Sequence, residues 1–208
     1  MRRAFLILFL LLMLTVITPV YATEKETVLL SCNNFNTTTE TWHSLTTTYN
    51  ETWEVEIYIA FHLNTSESQG VATIILSEDT TKTHAISLQF YTSENLLKVW
   101  YNKGGSGFVI GNGTWQYDDT VKVIMYDNGL TIIDSEGNEV LDQAPVENFN
   151  LATIGTKGTS TSICLNGYAS VTVSELKITT SFMPLIMAIA TVMIALTIIK
   201  AVGKSIKV

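Results

Sequence analysis

One short stretch leaves the backbone little choice. Trp53, Val55, Ile57, Ile59 and Phe61 are apolar, while Glu54, Glu56, Tyr58, Ala60 and then His62 occupy the intervening positions. Successive side chains point to opposite faces only in an extended chain. The stretch therefore predicts a long strand with one face in a core and the other in water.

The same β-prone composition returns at short intervals, in residues 27–32, 71–77, 84–91, 96–102, 120–126, 130–134, 139–141, 150–155 and 168–179. Turn-forming sequence separates these runs. Residues 33–41, rich in Asn and Thr, and the cluster Lys103-Gly104-Gly105-Ser106-Gly107 read as loops. Asp127-Asn128-Gly129 and Ser135-Glu136-Gly137-Asn138 read as hairpin turns, the first with the Asn-Gly pair that suits type I′ geometry. No ten-residue window between Thr23 and Thr180 repeats with a helical period. Many short strands without helices predict an all-β sandwich or barrel. The glycine cluster is no phosphate cradle, because no helix follows to supply the N-terminal field. No cofactor fingerprint is present, so none is expected.

The two ends differ from this middle. Arg2 and Arg3 precede an apolar run over residues 4–17, and Val20 and Ala22 close it with a small residue at the last position. That tripartite pattern predicts a secretory signal peptide over residues 1–22, cleaved after Ala22. Near the other end, residues 182–199 contain no charge, and at about 1.5 Å per residue they reach roughly 27 Å, close to the hydrocarbon thickness of a bilayer. Lys200, Lys204 and Lys207 follow without an acid, the flank expected on the cytoplasmic side. The expected organisation is an extracytoplasmic domain over residues 23–180, a transmembrane helix over 181–200 and a cytoplasmic tail over 201–208. The protein is expected in the cell membrane as a single-pass surface protein.

All 19 acidic residues but only seven of the 12 Lys and Arg fall in the middle domain. Such an acidic surface repels phosphate backbones and argues against a nucleic-acid partner. In an exported domain the pair Cys32 and Cys164 reads as a disulfide, and closing a loop of about 130 residues is worth about 4–5 kcal/mol in the chain-entropy model. Asn36, Asn50, Asn64 and Asn112 each begin an Asn-x-Ser/Thr acceptor sequence for N-glycosylation.

The segment from Gly113, with Trp115, the strand around Val121 and Val123, the Asn128-Gly129 turn and the strand around Ile132, resembles the hairpin of concanavalin A-like jelly rolls, including laminin G-like modules. Residues 148–155 and the closing run 170–178 resemble the end of the same fold. The resemblance covers most of the domain and implies an antiparallel jelly-roll β-sandwich, with its first and last strands adjacent. A bond between Cys32 and Cys164 agrees with that implied adjacency.

Some glucanases of this fold carry catalytic carboxylates on alternate positions of one strand, and Glu54 and Glu56 resemble that arrangement. The third carboxylate is missing, because Tyr58 and Ile59 stand where the pattern needs it. The scattered His43, His62 and His84 form no metal-protease motif, and no nucleophile elbow exists. The domain is therefore expected to bind rather than to catalyse. Recognition of a glycan needs aromatic rings against sugar faces and polar groups for the hydroxyls. Glu54, Glu56, Tyr58, Gln89, Tyr91 and Trp100 are the candidates, provided that their strands share one sheet. Calcium, bound by some relatives, is sought at Asp118, Asp119 and Asp127, although a calcium loop needs more oxygens than these three carboxylates supply. The expected function is a membrane-anchored adhesion module contacting glycans or another surface protein. The competing reading is a structural subunit of a surface layer, filament or envelope, a homo-oligomer assembled through exposed strand edges.

Overall fold

The computed structural model describes residues 24–67, 69–92, 95–159 and 162–176, all within a compact unit that ends at Leu176. Twelve strands follow in order: β1 Lys25–Ser31, β2 Thr41–Tyr49, β3 Trp53–Leu63, β4 Val71–Ser77, β5 His84–Tyr91, β6 Leu96–Lys103, β7 Ser106–Thr114, β8 Asp119–Tyr126, β9 Gly129–Ile133, β10 Glu139–Pro145, β11 Leu151–Gly158 and β12 Cys164–Glu175. A single 3₁₀ turn, Cys32–Asn34, is the only helical element among the described residues. Sheet I has the order β1-β12-β3-β8-β9-β10 and sheet II the order β2-β11-β4-β5-β6-β7, with every pairing antiparallel. This is the all-β, two-sheet antiparallel sandwich expected from the sequence.

Strand β3 behaves as its alternation dictates. Trp53, Val55, Ile57, Ile59 and Phe61 are fully buried between the sheets, each such burial being worth about 1.5–3 kcal/mol. The inner faces of β4, β5 and β6 meet them with Ile74, Leu76, Ile86, Leu88, Phe90, Leu97 and Val99. At one end the rings of Phe35, Phe61, Phe90 and Trp115 interlock, with centroids 5.0–5.9 Å apart. The Trp115 Nε1–H donates to the Tyr91 carbonyl at 3.1 Å, so the indole enters the core without an orphaned donor.

Cys32 and Cys164 form the expected disulfide, with Cα atoms 5.2 Å apart. Because β1 pairs with β12 from Lys25↔Ser174 to Ser31↔Tyr168, the bond pins the first strand to the start of the last.

Four sequence readings need correction. Thr41–Tyr49 forms β2, whereas the sequence suggested no strand there; it is an edge strand, and its alternating exposure leaves few apolar positions to announce it. The loop before it is also less peripheral than expected, because Phe35 is fully buried in the core. The glycine cluster after β6 is a two-residue turn, Gly104–Gly105, at φ 57° and 82°, and Gly107 already belongs to β7, another edge strand. The β8–β9 turn is centred one residue earlier than expected. Asp127 and Asn128 take the left-handed conformation, and Gly129 pairs with Tyr126 in the ladder. The space beside Gly129 is taken by the end of the Gln143 side chain from β10.

Among the described residues no helix is long and apolar enough to cross a membrane. The signal peptide expected over residues 1–22, the span over 181–200 and the tail over 201–208 lie outside the described residues.

Candidate functional site

The six residues proposed as a binding set do not converge. Glu54, Glu56 and Tyr58 lie on the outer face of sheet I, whereas Gln89, Tyr91 and Trp100 lie on the outer face of sheet II. The core stands between them, so a single groove built from all six is excluded. The sequence could not reveal this, because alternation assigns each side chain a face of its own strand but not the sheet that the strand joins. Two clefts result.

On sheet II the ladder sets Gly155, Ile75, Ser87 and Trp100 side by side, since Gly155 pairs with Ile75, Ile75 with Ser87, and Ser87 with Trp100. Trp42 of β2 lies across Gly155, where any Cβ would strike its ring. A cleft of about 120 Å³ opens beside Trp100, floored by Ile75 and Ser87 and bordered by Gln89, Asn102, Lys82 and Lys157. Asn102 Nδ2 donates to Ser87 Oγ at 3.0 Å, and Lys82 and Lys157 both reach Glu40, at 2.6 and 3.1 Å. Burial pushes the Glu40 carboxyl up, but hydrogen bonds from Lys82 and Lys157 and their charges outweigh it and hold it below the usual range. Trp100 is half-buried, and its Nε1–H is shielded from water with no acceptor among the described residues. Tyr91 stands at the end of this face, with its hydroxyl donating to Gln89 at 3.2 Å and the Lys98 ammonium 4.6 Å above its ring.

On sheet I a larger cleft of about 400 Å³ is lined by Glu56, Tyr58, Asp119, Lys122 and Ser135, among others. Lys122 bridges Glu54 at 2.9 Å and Glu56 at 3.3 Å. The Tyr58 hydroxyl donates to Asp118, and that hydrogen bond, with burial and the Asp118 charge added, pushes the phenol up to about 12. Exposed rings gather around it: Tyr168 is 6.2 Å from Tyr58, and Tyr117 stacks on His62 at 4.1 Å. Tyr117, Tyr168 and Ser135 were not identified from the sequence. Tyr117 and Ser135 sit in turns and Tyr168 on a neighbouring strand, so no periodicity links them to Tyr58.

The calcium reading fails on geometry. Asp118 and Asp119 stand at the start of β8 and Asp127 just beyond its end, about 26 Å of strand away. Among the described residues no group of three or more His, Cys, Asp or Glu side chains could hold a metal ion.

The four acceptor asparagines also differ. Asn50 and Asn112 are exposed. Asn36 is half-buried and clasps the Cys164 backbone, donating to its carbonyl at 2.8 Å and accepting from its N–H at 2.7 Å. Asn64 is half-buried, and its side-chain oxygen accepts the Ser66 N–H at 3.1 Å.

No family model matches the chain, and no curated protein matches its sequence. Among solved structures it is similar to the carbohydrate-binding module CBM66 from Bacillus subtilis, at 10% identity over 65% of this chain and 82% of that one, with a TM-score of 0.43. It is similar to the exoplasmic/lumenal domain of VIP36 in a Ca²⁺/Man3GlcNAc-bound form, at 12% identity over 78% and 86% of the two chains, with a TM-score of 0.46. Of a β-fructofuranosidase from Schwanniomyces occidentalis it spans 33% of the length and 73% of its own, at 11% identity and a TM-score of 0.46. At these identities and TM-scores the likeness is one of general two-sheet architecture and carries no role over to this chain.

Proposed function

We propose that this domain binds glycans through the outer face of sheet II, as a non-catalytic module held at a cell surface by the apolar segment near its C-terminus. One observation carries the reading. Trp100 offers a half-buried indole beside Gln89, Asn102 and Lys157, which is the pairing of an aromatic platform with hydrogen-bonding groups that a pyranose ring and its hydroxyls require. Lys122 sits between Glu54 and Glu56 and pairs with both, whereas retaining hydrolysis needs one carboxyl as the acid and another as a free nucleophile. That favours binding over glycoside hydrolysis.

The exposed Asn50 and Asn112 suit glycan attachment better than Asn36, whose side chain is engaged on the Cys164 backbone.

The test is a glycan array probed with the full chain, followed by titration of any saccharide retained. Trp100→Ala is expected to weaken binding by about tenfold, through loss of the ring contact. Binding that survives Trp100→Ala intact sinks the assignment.

A second reading has its own support. Edge strand β7 exposes Phe108 at 51% and Val109 at 44%, an open ladder with apolar side chains that another subunit's strand could extend. Ligand-free assembly of the full chain that Phe108→Lys abolishes would favour this structural role.

A further inference from the structure

The cleft on sheet I has a different chemistry from the one on sheet II. Glu56, Asp119 and Asp134 line it, and Lys122 is the cation among its lining residues. Lys122 is engaged by Glu54 and Glu56, and Asp134 is saturated by hydrogen bonds from Thr114, Glu136 and Asn138. Asp119 differs: one oxygen accepts the Thr120 N–H at 2.7 Å, and no cation pairs with it among the described residues.

A second, independent feature lies in the wall. Ser135 is 8% exposed, lines the cleft, and has a hydroxyl with no hydrogen-bond partner among the described residues. A buried hydroxyl without a partner is rare, because desolvation leaves it uncompensated. Tyr58 forms another wall, its ring fixed in place by the hydroxyl's bond to Asp118.

We propose that this cleft is a binding site for an organic ammonium group. The ammonium carries three donors and a positive charge. Asp119 supplies the charge partner, Ser135 Oγ an acceptor, and the Tyr58 ring a face for cation–π attraction. A volume of about 400 Å³ accommodates a small molecule or one long side chain with its neighbours. The site is independent of the glycan reading, being on the opposite face of the sandwich.

Isothermal titration calorimetry of the full chain in non-ionic detergent with spermidine and with tetralysine tests it. The two probes separate a free polyamine from a lysine side chain as the source of the ammonium. Binding of either is expected, weakening with added salt and falling about fivefold in Asp119→Asn and in Ser135→Ala, with Trp100→Ala without effect. Circular dichroism verifies that each variant keeps the sheet signal, and Glu56→Gln replaces any variant that does not. Absence of binding by both probes overturns the proposal. So does binding that Asp119→Asn and Ser135→Ala leave unchanged, since that is attraction to an acidic surface in general.

Discussion

Asp134 shows how much a single side chain can organise. It is 4% exposed; one oxygen accepts the N–H groups of Glu136 and Asn138 at 3.0 and 2.9 Å, and the other accepts the N–H and hydroxyl of Thr114 at 3.1 Å each. It thereby closes the β9–β10 turn and ties it to the end of β7 in the other sheet. Burial alone would raise its carboxyl, but the backbone donors of Asn138 and Thr114 and the Thr114 hydroxyl outweigh it and hold it below the usual range. Because folding favours the charged form, the stabilisation is complete above the ordinary value of 3.8 and is lost as pH falls through the lower folded value. Asp134→Ala is expected to remove about 1.5–3 kcal/mol in urea unfolding at neutral pH and to flatten the acid side of the stability profile. Tyr58 offers a second check at this scale. Its phenol, pushed up to about 12 by the hydrogen bond to Asp118, is expected to return toward 10.0 in Asp118→Ala when its ring is followed by NMR through an alkaline titration.

At the scale of elements, β3 is the organising strand, paired with β12 on one side and β8 on the other. Its inward side chains fill the centre of the core, and Ile57→Ala is expected to destabilise by about 2–5 kcal/mol, read as a lower urea midpoint at unchanged slope. Turns carry smaller energies. Gly137 sits at φ 80° in open space, so Gly137→Ala meets no clash and is expected to cost about 1–2 kcal/mol from backbone conformation alone. The strands plainest in the sequence were those with a full inner face, such as β4 and β5, whose residue ranges the sequence anticipated. Strands β2 and β7 escaped because edge strands bury little, and Thr, Ser and Gly carry weak periodicity there.

For the molecule as a whole, the Cys32–Cys164 bond closes the chain across a separation of 132 residues. Reduction is expected to lower the unfolding free energy by about 4–5 kcal/mol in the chain-entropy model, measured as the shift in urea midpoint with and without reductant. The bond also fixes the β1–β12 edge of sheet I, so its loss is expected to raise hydrogen exchange first in β1, which has β12 as its one ladder partner.

The sequence alone determined the all-β class, the inward face of β3, most strand positions and the pairing of the two cysteines, because local periodicity and the count of available partners decide those. It also picked out Trp100, Glu56 and Tyr58 as polar or aromatic side chains on wet faces. Only the tertiary structure decided that Glu56 and Tyr58 belong to one sheet and Trp100 to the other. It alone brought Asp119, at the start of β8, and Ser135, in the β9–β10 turn, into a cleft beside Tyr58, and it carried Asp127 away from Asp118. Sheet membership follows from which strands pair across the whole chain, a long-range choice made by the combined burial of many residues, and no local pattern records it.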